Sequence, residues 1–231
     1  MLTKQKNIIF SLDDFGISPK ANENILQLSQ TGKMDRVSVM PHGRMNEAEV
    51  AKLLASGVKL DVHVDLRNDI DPNRKIKDGV IKRVIIFMVD YFSGKISPAA
   101  MEKQWDGQIR DFQKIFGKLP DGMSSHQHVH FFPPYFKVIL ALAKKHKINY
   151  LRFGKEAYHQ NSLVCLILNW FRRIDVKAFS RSGLVSSDVM LSSDWLDDFN
   201  RIRQLPQNKE NEIIFHPERD EEMIFLERFI K

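Results

Sequence analysis

The sequence predicts an α/β protein with a single-domain, irregular TIM-like (β/α) barrel over residues 1–231. Short β-rich segments alternate with amphipathic helical segments along the chain, a pattern typical of parallel strands enclosed by helices. No Gly-rich phosphate loop follows the first predicted strand, which argues against a nucleotide-binding open sheet and favours a barrel. No linker, repeat or low-complexity tract divides the chain, and hydrophobic residues make up 43% of it, enough for one sizeable core.

The first β/α unit has the clearest boundary signals. Residues 7–12 are rich in Ile, Phe and Leu and predict a strand. Ser18 is a suitable N-cap, Pro19 suits the first helical position and Gly32 is a stop signal, so residues 19–31 predict a helix. Short apolar runs predict later strands at 36–40, 58–64, 123–129, 148–153, 176–179, 188–191 and 212–215. Amphipathic spacing predicts later helices at 45–56, 79–92, 98–116, 134–146, 162–173, 194–205 and 220–230.

Charge and apolar content exclude several classes of function. The net charge is +6, but the basic residues are dispersed and interleaved with acids, so we expect no nucleic-acid binding. The longest apolar run, residues 163–171, is far shorter than the roughly 20 residues that span a bilayer. It predicts a buried or partner-facing helix, and a homodimer contact, a cover over the site and peripheral membrane contact stay open. The lone Cys165 and the lack of a signal-peptide core predict a cytoplasmic protein.

Three of the eight histidines fall within five residues, at His126, His128 and His130. In an extended strand these side chains would all point to one face, and the outer pair of Cα atoms would lie about 13 Å apart. One ion cannot bind all three from a regular strand. We therefore expect one metal ligand, one close neighbour and one packed or exposed histidine, with the other ligands supplied from elsewhere in the chain.

The predicted strand ends bring the other ligands to the same rim, where parallel α/β folds place their functional groups. Asp13 and Asp14 follow the first strand, His63 ends the third, and His216 ends the last. Asp14, His63 and His126 would form a set of two histidines and one carboxylate, with positions open for water and substrate.

Two neighbouring groups extend this prediction. Asp13 and Asp14 can converge only where the strand ends, and Phe15-Gly16 supplies the break, so one carboxylate could bind metal while the other takes a proton. Asp65 could accept a hydrogen bond from the imidazole of His63 and so orient that ring. The aromatic residues after the histidines include Phe132, which could stack on a sugar ring or belong to the core.

Four segments together resemble the YdjC-like carbohydrate deacetylases, a family that includes chitooligosaccharide deacetylases and a hopanoid-biosynthesis branch. They are Ser-Leu-Asp-Asp-Phe-Gly-Ile-Ser at 11–18, His-Val-Asp-Leu at 63–66, Ser-His-Gln-His-Val-His at 125–130, and His216-Pro217. The similarity covers nearly the whole chain and is weakest between residues 158 and 198. It implies an irregular barrel and a metal-dependent hydrolase that removes the N-acetyl group of an amino-sugar-containing oligosaccharide or glycolipid.

The resemblance also implies roles for individual residues. Asp14, His63 and His126 match the ligands of one divalent ion, magnesium or zinc. Asp13 matches the general base and His216 a candidate general acid or transition-state partner. Substrate contacts are expected from Arg152, which matches an arginine after the fifth strand, and from His128 and Phe132.

The chain departs from the family pattern next to the predicted metal site. The family usually reads His-Leu-Asp-Ser where this chain has Gly122-Met123-Ser124-Ser125, so one carboxylate and one imidazole are missing. We expect that Ser124 cannot replace the acid as orienter or base. The changed surroundings favour a divergent acceptor, such as a glycolipid or a modified sugar.

Two other functions stay open from the sequence. A metal-dependent phosphoesterase or amidohydrolase also uses Asp and His clusters at a barrel rim, although two-metal hydrolases generally need more carboxylates than this chain offers. A degenerate family member that binds metal or glycan without catalysis is the non-enzymatic alternative, because the acid before Ser125 is missing.

Overall fold

A six-stranded parallel sheet forms the centre of the protein. The computed structural model describes residues 7–66, 80–156, 162–196 and 198–230. Its strands are β1 (Ile8–Phe15), β2 (Arg36–Val39), β3 (Lys59–Val64), β4 (Gly122–Ser125), β5 (Val189–Ser192) and β6 (Asn211–Phe215). They lie in the order β4-β3-β2-β1-β6-β5, and each neighbouring pair is parallel. Parallel pairing aligns the carboxyl ends of all six strands along one rim.

Seven α-helices are found among the described residues. They are α1 (Pro19–Ser29), α2 (Glu47–Ala55), α3 (Val80–Phe92), α4 (Pro98–Phe116), α5 (Pro133–His146), α6 (Leu163–Ser182) and α7 (Asp220–Ile230). The predicted N-cap of the first helix is confirmed, because the Ser18 side chain accepts a hydrogen bond from the Ala21 amide. The predicted bounds 98–116 and 220–230 are those of α4 and α7. None of the described helices is long and apolar enough to cross a membrane.

Irregular chain lies against both edges of this sheet. On the β4 side, Met123 donates to the Tyr150 carbonyl and accepts from the Arg152 amide, at 2.9 Å in both cases. The same segment continues to isolated bridges with Val185 and, through Glu156, with Val189 on β5. The predicted α/β class is confirmed, and the six strands form a curled half-barrel, whereas the complete TIM-like barrel stays a prediction.

The two faces of the sheet differ in polarity. On β2, Val37 and Val39 are fully buried in the apolar core beneath the helices, whereas the alternate residues Arg36 and Ser38 are buried among polar groups. The same alternation on β3 buries Leu60, Val62 and Val64 on one face and Asp61 and His63 on the other. The concave side of the curled sheet is therefore a buried polar interior that leads to the rim.

Four predicted elements are wrong in type or extent. Residues 176–179 belong to α6, whose buried positions continue at helical spacing through Asp175 and Phe179. Residues 148–153 form isolated bridges, and residues 194–205 contain short 3₁₀ turns at Ser193–Trp195 and Phe199–Gln204. The strand predicted at 123–129 stops at Ser125 and is followed by 3₁₀ turns over His126–Phe131.

Candidate metal-dependent active site

The rim of the sheet brings together the predicted acids and histidines. Asp13 and Asp14 lie at the end of β1, His63 at the end of β3, His126 directly after β4, and His216 directly after β6. Asp14 has φ of 71°, in the left-handed region, and the β1–β2 register is irregular between Leu12 and Phe15. Adjacent residues of a regular strand face opposite ways, so this local break lets both carboxylates reach one site.

Asp14, His63 and His126 form a group that fits one divalent ion. One ligand atom from each lies within 4.8 Å of the other two. Asp14 Oδ1 is 2.9 Å from His126 Nδ1 and 3.4 Å from His63 Nε2. Burial alone would raise the pKa of Asp14, but the neighbouring His126 and His63 hold it well below its usual range. An ionised carboxylate and two imidazole nitrogens at this spacing are a suitable donor set for a divalent metal.

Ser124 orients His63, contrary to our expectation from the sequence. The Oγ of Ser124 lies 2.7 Å from His63 Nδ1 and donates to Ser38 Oγ at 3.2 Å. With its hydrogen donated to Ser38, Ser124 Oγ can accept the Nδ1 hydrogen of His63, which leaves Nε2 as the atom facing Asp14. A short hydroxyl thus takes the orienting position that the family pattern gives to an acid.

Asp65 does not take that role. Its amide and one carboxylate oxygen bond instead to the side chain of Gln108, at 2.9 and 2.8 Å. The second carboxylate oxygen is buried without a hydrogen-bond partner among the described residues, and burial raises the pKa of Asp65 in spite of nearby His126 and His42.

Arg152 supports Asp13 from inside the protein. Its Nη1 donates to both carboxylate oxygens of Asp13, at 2.7 and 2.8 Å, while its Nε donates to Glu212 and its Nη2 to Ser38. The side chain of Arg152 is fully buried, so its nitrogens bond the protein instead of making the predicted substrate contact. Burial would raise the pKa of Asp13, but Arg152, His63 and His216 lower it to about 2. Asp13 is therefore ionised at neutral pH.

His216 has the opposite protonation state to Asp13. Its amide donates to Glu222 Oε2 at 2.6 Å, and its Nδ1 lies 3.6 Å from Glu222 Oε1. Burial would lower the pKa of His216, but Glu222, Asp14 and Asp13 raise it to about 9. At 3.6 Å the ring atom is beyond hydrogen-bond distance, so charge attraction holds the proton on the imidazole.

The three clustered histidines do not form a row. Gln127 and His128 have φ of 52° and 56°, so the chain turns sharply and separates the three rings. His128 is buried, and burial together with the charge of Arg152 lowers its pKa to about 4. Its Nδ1 has no hydrogen-bond partner among the described residues. Its ring is 5.4 Å from that of Trp195. His130 is fully buried between Ser125 Oγ at 2.6 Å and the Arg152 carbonyl at 2.8 Å, a structural position.

Phe132 is part of an aromatic cluster next to this turn. Its ring meets those of Phe87, Tyr91, Tyr135 and Phe171 at centroid distances between 5.2 and 5.8 Å. The ring is partly exposed. These contacts place Phe132 between α3, α5 and α6, and its stacking on a sugar stays a prediction.

Two acids that matter to the site were not singled out from the sequence. Glu212 is fully buried in β6 and accepts from Arg152, Ser11 and Tyr150. An acid within an apolar strand was a usable signal for it. Glu222 lies six residues after His216, in the first turn of α7. The sequence did not distinguish it from the acidic residues beside it, Asp220 and Glu221, which are exposed.

A family model for YdjC-like proteins matches residues 7–229. A carbohydrate deacetylase of Enterococcus faecalis V583 is 28% identical over 150 residues, which cover 62% of this chain and 57% of that protein. A carbohydrate deacetylase of Danio rerio is 24% identical over 201 residues, covering 80% of this chain and 64% of that protein. A chitooligosaccharide deacetylase of Escherichia fergusonii is 24% identical over 163 residues, covering 68% and 63%. This chain thus spans less than two thirds of these relatives.

Two solved structures, among those that match, share the fold over most of the chain. One belongs to an Enterococcus faecalis V583 protein provisionally named a cellobiose-phosphate cleavage protein, with a TM-score of 0.61 and 21% identity, and the match covers 92% of this chain and 81% of that one. An uncharacterised protein of Agrobacterium tumefaciens C58 matches with a TM-score of 0.52 and 10% identity, covering 98% and 83%. At these identities the two structures support the α/β fold alone.

Proposed function

This chain belongs to the YdjC-like protein family, and on that premise we propose that it is a metal-dependent carbohydrate N-deacetylase. The reaction hydrolyses the linear amide bond of an N-acetylated amino sugar, carried on an oligosaccharide or a glycolipid, to acetate and an amine. The single observation that carries the proposal is the grouping of Asp14, His63 and His126 within 4.8 Å at the rim. The deacetylase names of the relatives support the choice of reaction.

The donor set favours zinc over magnesium. Two of the three donors are imidazole nitrogens, which suit zinc, whereas magnesium prefers oxygen ligands. A zinc ion held by Asp14, His63 and His126 would supply Lewis-acid chemistry, polarising the acetamide carbonyl and lowering the pKa of water. Elemental analysis of the purified protein tests this assignment, and one zinc per chain is expected.

The protein's own groups provide a base and an acid in opposite protonation states. Asp13, with a pKa of about 2, is ionised and accepts the proton of the attacking water. Arg152 fixes the orientation of that carboxylate. His216, with a pKa of about 9, is protonated and gives its proton to the nitrogen as the C–N bond breaks. A new C–O bond forms, so the products are acetate and the free amine.

The alternatives from the sequence have less support. A two-metal phosphoesterase needs a second group of ligands, and the described residues contain one such group, with three members. The non-catalytic alternative rested on the missing acid before Ser125, but Ser124 contacts His63 in place of an acid. Both observations favour hydrolysis with a single ion.

Acetate release from N-acetylated chitooligosaccharides and N-acetylated glycolipids tests the proposed reaction. The Asp13→Asn variant should lose at least about a hundredfold in turnover, because general-base catalysis contributes roughly 10²- to 10⁴-fold. Asp220→Asn is the matched control, since Asp220 is exposed and pairs with Lys20. Metal and glycan binding without acetate release by the unchanged protein would favour the non-catalytic alternative.

Three further properties belong to this proposal. We propose that residues 1–231 act as one domain, that the protein is cytoplasmic, as the lone buried Cys165 fits, and that its partner is a carbohydrate substrate. Cell fractionation tests the location, and recovery of the protein in a periplasmic or extracellular fraction would contradict it.

A further inference from the structure

Two helices beside the site expose an unusual amount of apolar surface. The described residues expose eleven large apolar side chains, and seven of them lie on α3 and α6. The α3/α6 apolar face consists of Ile85, Val89, Phe92, Leu163, Leu166, Trp170 and Ile174, each 49% to 78% exposed. We propose that this face docks the protein on the surface of an anionic lipid bilayer. Ring contacts through Tyr91, Phe132 and Phe171 connect Phe92 of α3 with Trp170 of α6. Exposed apolar surface that is connected in this way marks an interaction site.

The spacing of these residues gives each helix one apolar stripe. On α6 they recur at intervals of three and four residues, from Leu163 to Ile174, and the opposite side buries Cys165, Leu168 and Asn169. On α3, Ile85, Val89 and Phe92 share one side. Trp170 at the centre of the α6 stripe is a residue type that favours the boundary between lipid headgroups and acyl chains.

Positive charge continues the α6 stripe. Arg173, Lys177 and Arg181 are exposed at the same helical spacing as the apolar residues. The acid of α6, Asp175, is buried, and the acid in the described part of α3, Asp90, pairs with Lys95 at 3.3 Å. Apolar residues flanked by basic residues, without exposed unpaired acid among those described, complement an anionic bilayer.

The two helices that carry the apolar face pack against the segment that follows β4. Phe132 directly follows the 3₁₀ turns that carry His126 and His128. Its ring lies 5.2 Å from Phe87 of α3 and 5.8 Å from Phe171 of α6. Both helices therefore pack on the residue that follows the turns carrying His126 and His128, and docking through their apolar face would bring this part of the molecule towards the membrane surface.

A second copy of the chain is a poorer occupant of this face. A two-fold contact would bring the same surface patch onto itself. The exposed basic residues of α6 would then lie close to the same residues of the second copy. The described residues of the two helices offer no exposed unpaired acid to neutralise them. Phosphatidylglycerol headgroups supply that charge.

Vesicle flotation tests the docking surface independently of the proposed reaction. The full chain is mixed with vesicles of phosphatidylcholine alone or with phosphatidylglycerol in equal parts. We expect it to float with the anionic vesicles and to be released at high salt, because the charge contribution is screened. Failure of the unchanged protein to float with anionic vesicles would overturn the proposal.

Two variants separate the charged and apolar contributions. Arg173→Gln with Lys177→Gln should lower the vesicle partition coefficient about thirtyfold, since each basic residue near an anionic surface contributes roughly five- to sixfold. Leu166→Glu with Trp170→Glu should remove measurable binding. The matched controls are Lys52→Gln with Lys59→Gln, and Leu54→Glu with Ile224→Glu, all exposed positions outside α3 and α6.

The controls and the oligomeric state decide the remaining outcomes. Equal loss of binding in the control variants would overturn the proposal, because binding would then follow overall charge. A dimer that the Leu166→Glu and Trp170→Glu changes convert to a monomer, without vesicle binding by the unchanged protein, would assign the face to a contact between copies. Deacetylation of soluble oligosaccharides should be unchanged in all these variants, so a failed docking proposal is distinguishable from a failed reaction.

Discussion

Opposite environments give Asp13 and His216 different chemistry. Asp13 is buried with both carboxylate oxygens accepting from Arg152 Nη1, and its pKa falls to about 2. His216 is partly buried and faces carboxylates, and its pKa rises to about 9. When the environments of two neighbouring groups move their pKa values in opposite directions, those groups are candidates for the acid and the base of a reaction. The predicted strand ends and the family resemblance identified both positions. Their protonation states depend on contacts with Arg152 and Glu222, which the sequence pattern did not predict.

The Glu222→Gln variant tests the protonation of His216. A folded-state pKa of about 9 means that His216 carries its proton at neutral pH and loses it as pH rises through about 9. We expect kcat/KM of the unchanged protein to fall as the pH rises through about 9. Removing the Glu222 charge should move this alkaline limb down by about one pH unit or more.

The control for this prediction is Glu218→Gln, an exposed acid two residues after His216. Its alkaline limb should stay where it is in the unchanged protein. An unmoved limb in Glu222→Gln, with retained folding, would show that His216 is not the group that titrates.

The turn after β4 explains why the histidine cluster was only partly predictable. Strand geometry showed that one ion could not bind all three histidines. The predicted strand, however, continued to residue 129. The strand ends at Ser125, and the left-handed Gln127 and His128 direct the three imidazoles to different partners. Left-handed conformations in residues other than glycine carry no strong local signal, because the surrounding structure imposes them.

Gly122 on β4 is required by the neighbouring strands. A Cβ atom there would lie 2.5 Å from Arg36 Nη2 and 2.6 Å from Asp61 Oδ1. Those two side chains form a buried ion pair, in which Nε and Nη2 of Arg36 both donate to the Asp61 carboxylate. The sequence showed Gly122 as a departure from the family pattern, and the structure gives its reason, since a larger residue would displace this pair.

Gly122→Ala should therefore destabilise the protein by about 2 kcal/mol or more, because overpacking costs roughly 1–3 kcal/mol and disturbs a buried ion pair. Urea unfolding measures the change. Gly107→Ala is the control, since Gly107 lies in α4 with no atom within 4 Å of an added Cβ. It should stabilise the protein by about 0.5–1 kcal/mol through helix propensity. Equal stability of Gly122→Ala and the unchanged protein would contradict this account.

At the scale of the whole molecule, the buried polar interior connects the strands beneath the site. Arg152 bridges Asp13 of β1 and Glu212 of β6, and Ser38 of β2 accepts from both Arg152 and Ser124. The sequence predicted the α/β alternation and the rim residues because periodicity and strand ends are local signals. It could not predict these pairings, which depend on the register of strands far apart in sequence.

Metal binding should stabilise the whole fold, because the proposed ligands come from three separate parts of the chain. Asp14 lies on β1, His63 on β3 and His126 after β4, and the group exists only when those elements are assembled. A ligand that binds the folded state alone adds about 2.7 kcal/mol at a concentration of 100 times its dissociation constant. For a chain of this size that corresponds to a rise in Tm of about 5–10 °C. Thermal unfolding with and without zinc measures it.

Ser124→Ala makes this prediction specific to the orientation of His63. Loss of the group that orients a metal-binding histidine weakens metal affinity by roughly 10- to 100-fold. At the same zinc concentration the variant should therefore lose at least about 1.4 kcal/mol of the metal-dependent stabilisation, or about half of the rise in Tm. Ser187→Ala is the matched control, because Ser187 is fully buried and its Oγ has no hydrogen-bond partner among the described residues. A full zinc-dependent rise in Ser124→Ala would show that its contact with His63 does not support metal binding.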